Sequence, residues 1–125
     1  MIKQQDDSFD EEFTKIMDKF DVHYSVSKTL AHLLQGGTHR SIDIEKHTGL
    51  RQPEVSKATN ELTKLGWIDK TKEYKIGKGR PIYHYQLNKD IDEIFSHFQQ
   101  QKQQEIKQIK KLLQEIQEYT EILKN

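Results

Sequence analysis

The sequence predicts a mostly α-helical chain with one small β-hairpin, an α+β class, closed by a long C-terminal helix. Three observations predict it. Between residues 8 and 66, apolar residues recur at three- and four-residue steps in four separate segments. Over 67–87 the pattern changes to β-branched and aromatic residues arranged around Gly77-Lys78-Gly79. Residues 90–124 then run without a glycine or a proline.

The first helix is expected over 8–20, with Phe9, Phe13, Ile16, Met17 and Phe20 on one face and Ser8 with Glu11 as a capping box. The second runs over 25–35, "SVSKTLAHLLQ", with Val26, Leu30, Leu33 and Leu34 as its stripe and Gly36-Gly37 as its stop. A third runs from Ser41, a good N-cap, to Gly49, with Ile42, Ile44 and Leu50 as core anchors. A fourth starts at Pro53, which suits a first helical position, and ends at Gly66. Its buried stripe is Val55, Ala58, Leu62 and Leu65. Glu54, Lys57, Asn60, Glu61 and Lys64 point outward, with Ser56 nearby.

"WIDKTKEYKI" and "RPIYHYQL" form a single exposed ribbon. Tyr83, Tyr85 and Leu87 share one face of its returning strand, because strand side chains alternate, and the two tyrosines anchor that strand to the core. The last helix starts after Asn88 or Asp90 and would be roughly 50 Å long. No core this small buries such a helix along its length. Ile106, Ile109, Leu112, Leu113, Ile116, Tyr119 and Leu123 recur at steps that mark a coiled-coil or bundle seam. The polar run "QQQKQQE" at 99–105 separates that seam from the helix start.

Composition narrows the function classes. Hydrophobic residues make up 33% of the 125 and charged residues 32%, so the core is small. The absence of cysteine excludes a disulfide framework and a thiolate metal site. No apolar run approaches the roughly 18–20 residues of a membrane span. The N-terminal "MIKQQDDSFD" has no apolar signal core. A cytoplasmic protein is expected, with no membrane partner. The net charge of zero conceals an asymmetry. Residues 38–89 carry eleven Lys/Arg against six Asp/Glu, whereas 1–37 carry four against seven and 90–125 five against seven. A basic middle between acidic ends points to a polyanion site in the middle segment.

Two helices, a tight turn "TGLRQ", a further helix and a hairpin with a basic tip form the order of a winged helix-turn-helix. The fourth helix is then the recognition helix. In the wing, Gly77 and Gly79 remove side-chain bulk at the tip, while Lys75, Lys78 and Arg80 supply charge for phosphate. At "GLRQPEVSKATNELTKLGWI" followed by "GKGRPIYHYQL", the chain resembles winged-helix transcriptional regulators of archaeal type. It is most similar to the DNA-binding domain of the TrmB-like group, with a MarR/ArsR-like layout, over about residues 25–90. The resemblance carries over no sugar effector, because a single helix follows residue 90. It carries over no metal sensing, because the cysteines used by ArsR-type sensors are missing.

The resemblance implies that the opening of the recognition helix contacts bases through Arg51, Gln52, Glu54, Ser56, Lys57 and Asn60. The chemistry is compatible: Arg pairs with guanine, Gln or Asn with adenine, and Glu with cytosine. As a poor N-cap, Gln52 would leave its amide open to a base edge. Lys75, Lys78 and Arg80 would meet the backbone or minor groove, with Arg40 and the Ser41 helix start on phosphate. The expected function is a sequence-specific, double-stranded DNA-binding transcriptional regulator. It would act as a homodimer through Ile106, Ile109, Leu112, Leu113, Ile116, Tyr119 and Leu123, in a parallel or an antiparallel arrangement. The expected division is an N-terminal helix at 1–24, the DNA-binding domain at 25–89 and the dimerisation helix at 90–125. Two rival classes are a nucleoid-type architectural protein that binds without sequence preference and a winged-helix protein-interaction module. Six histidines (His23, His32, His39, His47, His84 and His97) lack the spacing of a metal motif. His32 is expected on a helix surface and His84 on the outer strand face. No catalytic arrangement or phosphate-cradling loop is legible, so neither an enzyme, a cofactor nor a metal is expected, and no effector is implied.

Overall fold

The computed structural model describes residues 7–74 and 79–125. The elements in chain order are α1 (Asp7–Lys19), α2 (Tyr24–Leu33), β1 (His39–Arg40), α3 (Ser41–Thr48), α4 (Gln52–Lys64), β2 (Ile68–Glu73), β3 (Ile82–Leu87) and α5 (Ile91–Lys124). The architecture is mixed α+β, with five helices and a three-stranded antiparallel sheet among the described residues. The chain divides into two compact units, one running through Ile91 and the other Asp92–Asn125.

α2 is the centre of the first unit. Leu30, Leu33 and Leu34 have no exposed surface, and Ser25, Val26, Ser27, Thr29, Ala31 and His32 are buried too. A helix covered on nearly every side needs neighbours on every side. α1, α3, α4 and β3 all pack on it. Its start is capped by His23, whose Nδ1 accepts from the Ser25 backbone N–H at 3.2 Å.

α1 buries Phe13 and Met17, four residues apart, and Phe9 stacks on Phe13 with ring centroids 5.7 Å apart. Ile16, expected on the same face, is 37% exposed. The helix ends without a glycine. Asp21 takes φ 63° instead, and Asp is one of the few non-glycine residues that tolerates this conformation.

α3 reaches the core through Ile44 and, just after the helix, Leu50. Ile42 is 43% exposed rather than a core anchor. Two residues before Ile44, it lies about 200° around the helix, on the opposite side. Arg40, not Ser41, holds the N-cap position, and Ser41 is the first helical residue.

α4 buries Val55, Ala58, Thr59 and Leu62. Leu65, expected in this stripe, is 43% exposed. It is the C-cap of a Schellman motif. The Trp67 N–H donates to Leu62 O and the Gly66 N–H to Thr63 O, both at 3.0 Å, and Gly66 takes φ 76°. The chain turns there, and Trp67 and Ile68 fill the core instead.

The expected lone ribbon is one half of a larger sheet. Its order is β1-β3-β2, so β3 is central. His39 pairs with Tyr85 and Arg40 with His84 on one side, and Ile68 pairs with Leu87 on the other. Ile68, Tyr85 and Leu87 are buried, whereas Tyr83 is only half-buried.

α5 is one unbroken helix of 34 residues, continuous through the polar run at 99–105. Ile94 and Phe98 are buried, and every residue from Gln103 to Asn125 is exposed.

These positions predict a graded cost of truncation. Leu30→Ala or Leu62→Ala, with no exposed surface in the parent residue, should each destabilise the chain by about 2–5 kcal/mol in urea titrations. Ile42→Ala and Leu65→Ala should each cost about 1 kcal/mol or less, because their side chains already meet water.

Candidate nucleic-acid interface

α4 presents two unlike faces. Above the buried row, Arg51, Gln52, Lys57, Asn60, Glu61 and Lys64 are exposed, and Glu54 and Ser56 are half-buried. The helix start is well defined. Arg51 is the N-cap, in extended backbone, and Glu54 three residues later accepts its backbone N–H at 3.0 Å. This satisfies a donor that a helix start otherwise leaves unpaired. Glu54 is therefore committed to holding the helix start, which distinguishes it from the other residues expected on this face. The Arg51 guanidinium has no partner among the described residues. Gln52 and Pro53 occupy the first two helical positions, one residue earlier than the proline suggests.

α3 opens the same way. Asp43 accepts the Arg40 backbone N–H at 3.1 Å. Here the carboxylate also takes the side chain: Arg40 Nε donates to Oδ2 and Nη2 to Oδ1, each at 3.3 Å. The guanidinium side-chain bond, followed by the backbone bond, holds the Asp43 carboxyl below the usual carboxylate range. A phosphate at Arg40 would have to compete with a carboxylate already in place. Arg40 is thus the weaker of the two arginines as an anion contact, and its strand pairing with His84 fixes its direction.

Of the cations expected at the hairpin tip, Arg80 is exposed, and Lys75 and Lys78 lie outside the described residues. Sequence reasoning missed Lys70 and Lys72 on β2. Both stand on the same face of the sheet as Tyr83, since Lys72 pairs with Tyr83 and Lys70 with Tyr85. Lys70 Nζ lies 4.0 Å from the Tyr83 ring centroid and Lys72 Nζ 5.8 Å. Tyr83 is therefore a platform for two cations as well as a wall of the hairpin. The signal was the alternate spacing of Lys70 and Lys72 within "DKTKE". On the opposite face His84 Nε2 and Glu73 Oε2 are 2.6 Å apart.

His32, expected on a surface, is buried at the junction of α2, β1 and α3, with 4% of its surface exposed. Its Nε2 lies 3.1 Å from His39 Nδ1, and His39 Nε2 lies 2.8 Å from Gly36 O. A carbonyl only accepts, so His39 carries a proton on Nε2 and its Nδ1 shares a hydrogen bond with His32 Nε2. The His47 ring lies 4.8 Å from that of His32, and its Nδ1 donates to Asp43 O at 3.0 Å. Burial first, and the neighbouring His39 and His47 next, lower the His32 pKa to about 4. Among the described residues no group of three or more His, Cys, Asp or Glu is arranged to hold a metal ion. No described helix is long and apolar enough to cross a membrane.

No family model matches the sequence, and no curated protein matches it. The chain is similar to a solved structure described as a possible transcriptional regulator from Methanosarcina mazei Go1. The TM-score is 0.66 at 15% identity, over 80% of this chain and 83% of that one. The fold is shared with that protein over most of both chains.

The histidine cluster predicts a pH dependence. His32 titrates near 6.5 when unfolded and about 4 when folded, so the unfolded chain binds the proton more readily. The contribution is complete above about pH 6.5 and is lost as pH falls toward 4. Between pH 7 and 5 the loss should be about 2 kcal/mol in urea titrations. His32→Asn should flatten that slope, and an equal slope in the variant would assign the titration to another group.

Proposed function

We propose that this chain is a winged helix-turn-helix transcriptional regulator of the archaeal, TrmB-like kind, with a MarR/ArsR-like layout. It binds double-stranded DNA sequence-specifically as a cytoplasmic homodimer. The observation that carries this reading is the exposed polar half of α4, which stands on a capped start above a fully buried row. Arg51, Gln52, Lys57 and Asn60, with half-buried Ser56, are the groups such a helix would lay against base edges in the major groove. Glu54 positions Arg51 by holding its backbone. The β2–β3 hairpin is the wing, with Arg80 and the expected Lys75 and Lys78 on backbone or minor groove. Lys70 and Lys72 add cations along its length.

In the proposed division, residues 1–24 support the DNA-binding domain at 25–89, and the helix at 90–125 makes the dimer. The fold shared with a possible transcriptional regulator supports a regulatory role. The exposed carboxylate of Glu61, two turns along α4 from half-buried Glu54, favours selective over indiscriminate binding, because acidic groups on a contact face repel phosphate.

Selection of bound sequences from a random DNA pool tests the reading and supplies a preferred site. On that site Arg51→Ala or Gln52→Ala should weaken binding by about 1–3 kcal/mol, with a much smaller loss on unrelated DNA. Arg80→Ala should weaken binding to both about equally. It should also flatten the plot of log affinity against log salt by about 0.9 per subunit. Recovery of no enriched sequence would overturn sequence-specific binding.

A further inference from the structure

The exposed stripe of α5 holds Ile106, Ile109, Leu112, Leu113, Ile116 and Tyr119, followed by Ile122 and Leu123, each with half or more of its surface in water. Sequence spacing alone fits parallel and antiparallel pairing equally. The charges beside the stripe do not. Between Ile106 and Leu123 the charges are Lys107, Lys110 and Lys111 and then Glu115, Glu118 and Glu121, with Glu105 and Lys124 flanking the stripe in the opposite order.

An isolated helix gains little from this order. Its dipole favours acids toward the N-terminus and bases toward the C-terminus. Lys four residues before Glu is also the poorer orientation of such a pair. The polarity is therefore explained by something outside the helix.

We propose that the stripe pairs with the same stripe of a second copy in antiparallel orientation, about a two-fold axis at Gln114. Six of the eight stripe residues are matched about that point, while Leu113 falls opposite Glu115 and Leu123 opposite Glu105. Ile106 and Ile122 are equidistant from Gln114, as are Ile109 and Tyr119, and Leu112 and Ile116. So are Lys107 and Glu121, and Lys110 and Glu118. Antiparallel pairing lays these three pairs of apolar positions on one another and brings the lysine end of each helix beside the glutamate end of the other. Parallel pairing would set lysines beside lysines and glutamates beside glutamates. Most of the apolar repeat is preserved under the reversal, and the charge order is inverted by it.

The inference rests on the homodimer reading, and the test separates the two. The chain has no cysteine, so single cysteines report pairing directly. Glu105 and Leu123 are also equidistant from Gln114, and both are exposed. Glu105→Cys and Leu123→Cys chains, distinguishable by a tag, are mixed in a glutathione buffer. Antiparallel pairing should give a disulfide between positions 105 and 123 in the mixture and none in either variant alone. In that orientation two copies of position 105 lie about 27 Å apart. Disulfide-linked dimers of either variant alone would overturn the antiparallel orientation while leaving the dimer in place. A monomeric unmodified chain in sedimentation would overturn both. Lys107→Glu, Lys110→Glu and Lys111→Glu together should raise the dimer dissociation constant at least about tenfold at low salt. An unchanged constant would also overturn the orientation.

Discussion

The burial of α2 is the constraint on which the first unit depends. Leu30 and Leu33, with Leu34 at the C-cap, have no exposed surface and need partners in several directions at once. Only about a third of the chain is hydrophobic, so few elements have apolar surface to spare. Each neighbour therefore presents one narrow row. Phe13 and Met17 come from α1, Ile44 from α3, and Val55, Ala58 and Leu62 from α4. The exposed half of α4 follows from this economy. With its apolar row turned to the core, its other residues face water, and side chains that could meet a base edge stand on the outside.

The two helix starts at Arg40 and Arg51 use one device with different consequences. In each, an acid at the third helical position accepts the backbone N–H of the arginine before the helix. Asp43 has a short side chain that stays close to the backbone, and it holds the Arg40 guanidinium as well. Glu54 is bonded to the Arg51 backbone alone among the described contacts. The same local chemistry neutralises one arginine and leaves the other to act outward. This difference was invisible in the sequence, where both residues read as basic positions at a helix start.

What could be read in advance follows from the range of each interaction. The five helices are legible because a 3.6-residue period repeats over two turns or more, and because Gly49 and Gly66 stop two of them at positive φ. β1 is not legible. Its two residues carry no period, and it exists only because β3 offers a free edge to pair with. Leu65 fits the α4 stripe in sequence and leaves it in space, because the Schellman turn at Gly66 hands the core to Trp67. His32 read as a surface residue because histidine is polar. Its burial comes with a hydrogen bond to His39, seven residues away, whose other ring nitrogen donates to Gly36 O. On α4 the exposed residues were legible from period alone, whereas the commitment of Glu54 and the Lys70–Lys72–Tyr83 group depend on side-chain geometry and strand register that no period encodes.

A net charge of zero contrasts with the excess of base usual in proteins that bind nucleic acid. Here the charges are sorted. The basic excess lies within 38–89, which holds α4 and the hairpin, and the acidic excess lies before and after it. At physiological salt a charge acts over about 8 Å, so a phosphate at α4 responds to local charges and hardly to the chain total. Within α5 the sorting repeats at a smaller scale, with lysines at one end of the stripe and glutamates at the other. Such a stripe is neutral as a whole and polar along its length. It can therefore discriminate between orientations of a partner without adding to the charge of the molecule. On the proposed function, a chain sorted this way would separate two electrostatic tasks, attraction of a polyanion in the middle and orientation of a second copy at the end, and the total charge would report neither.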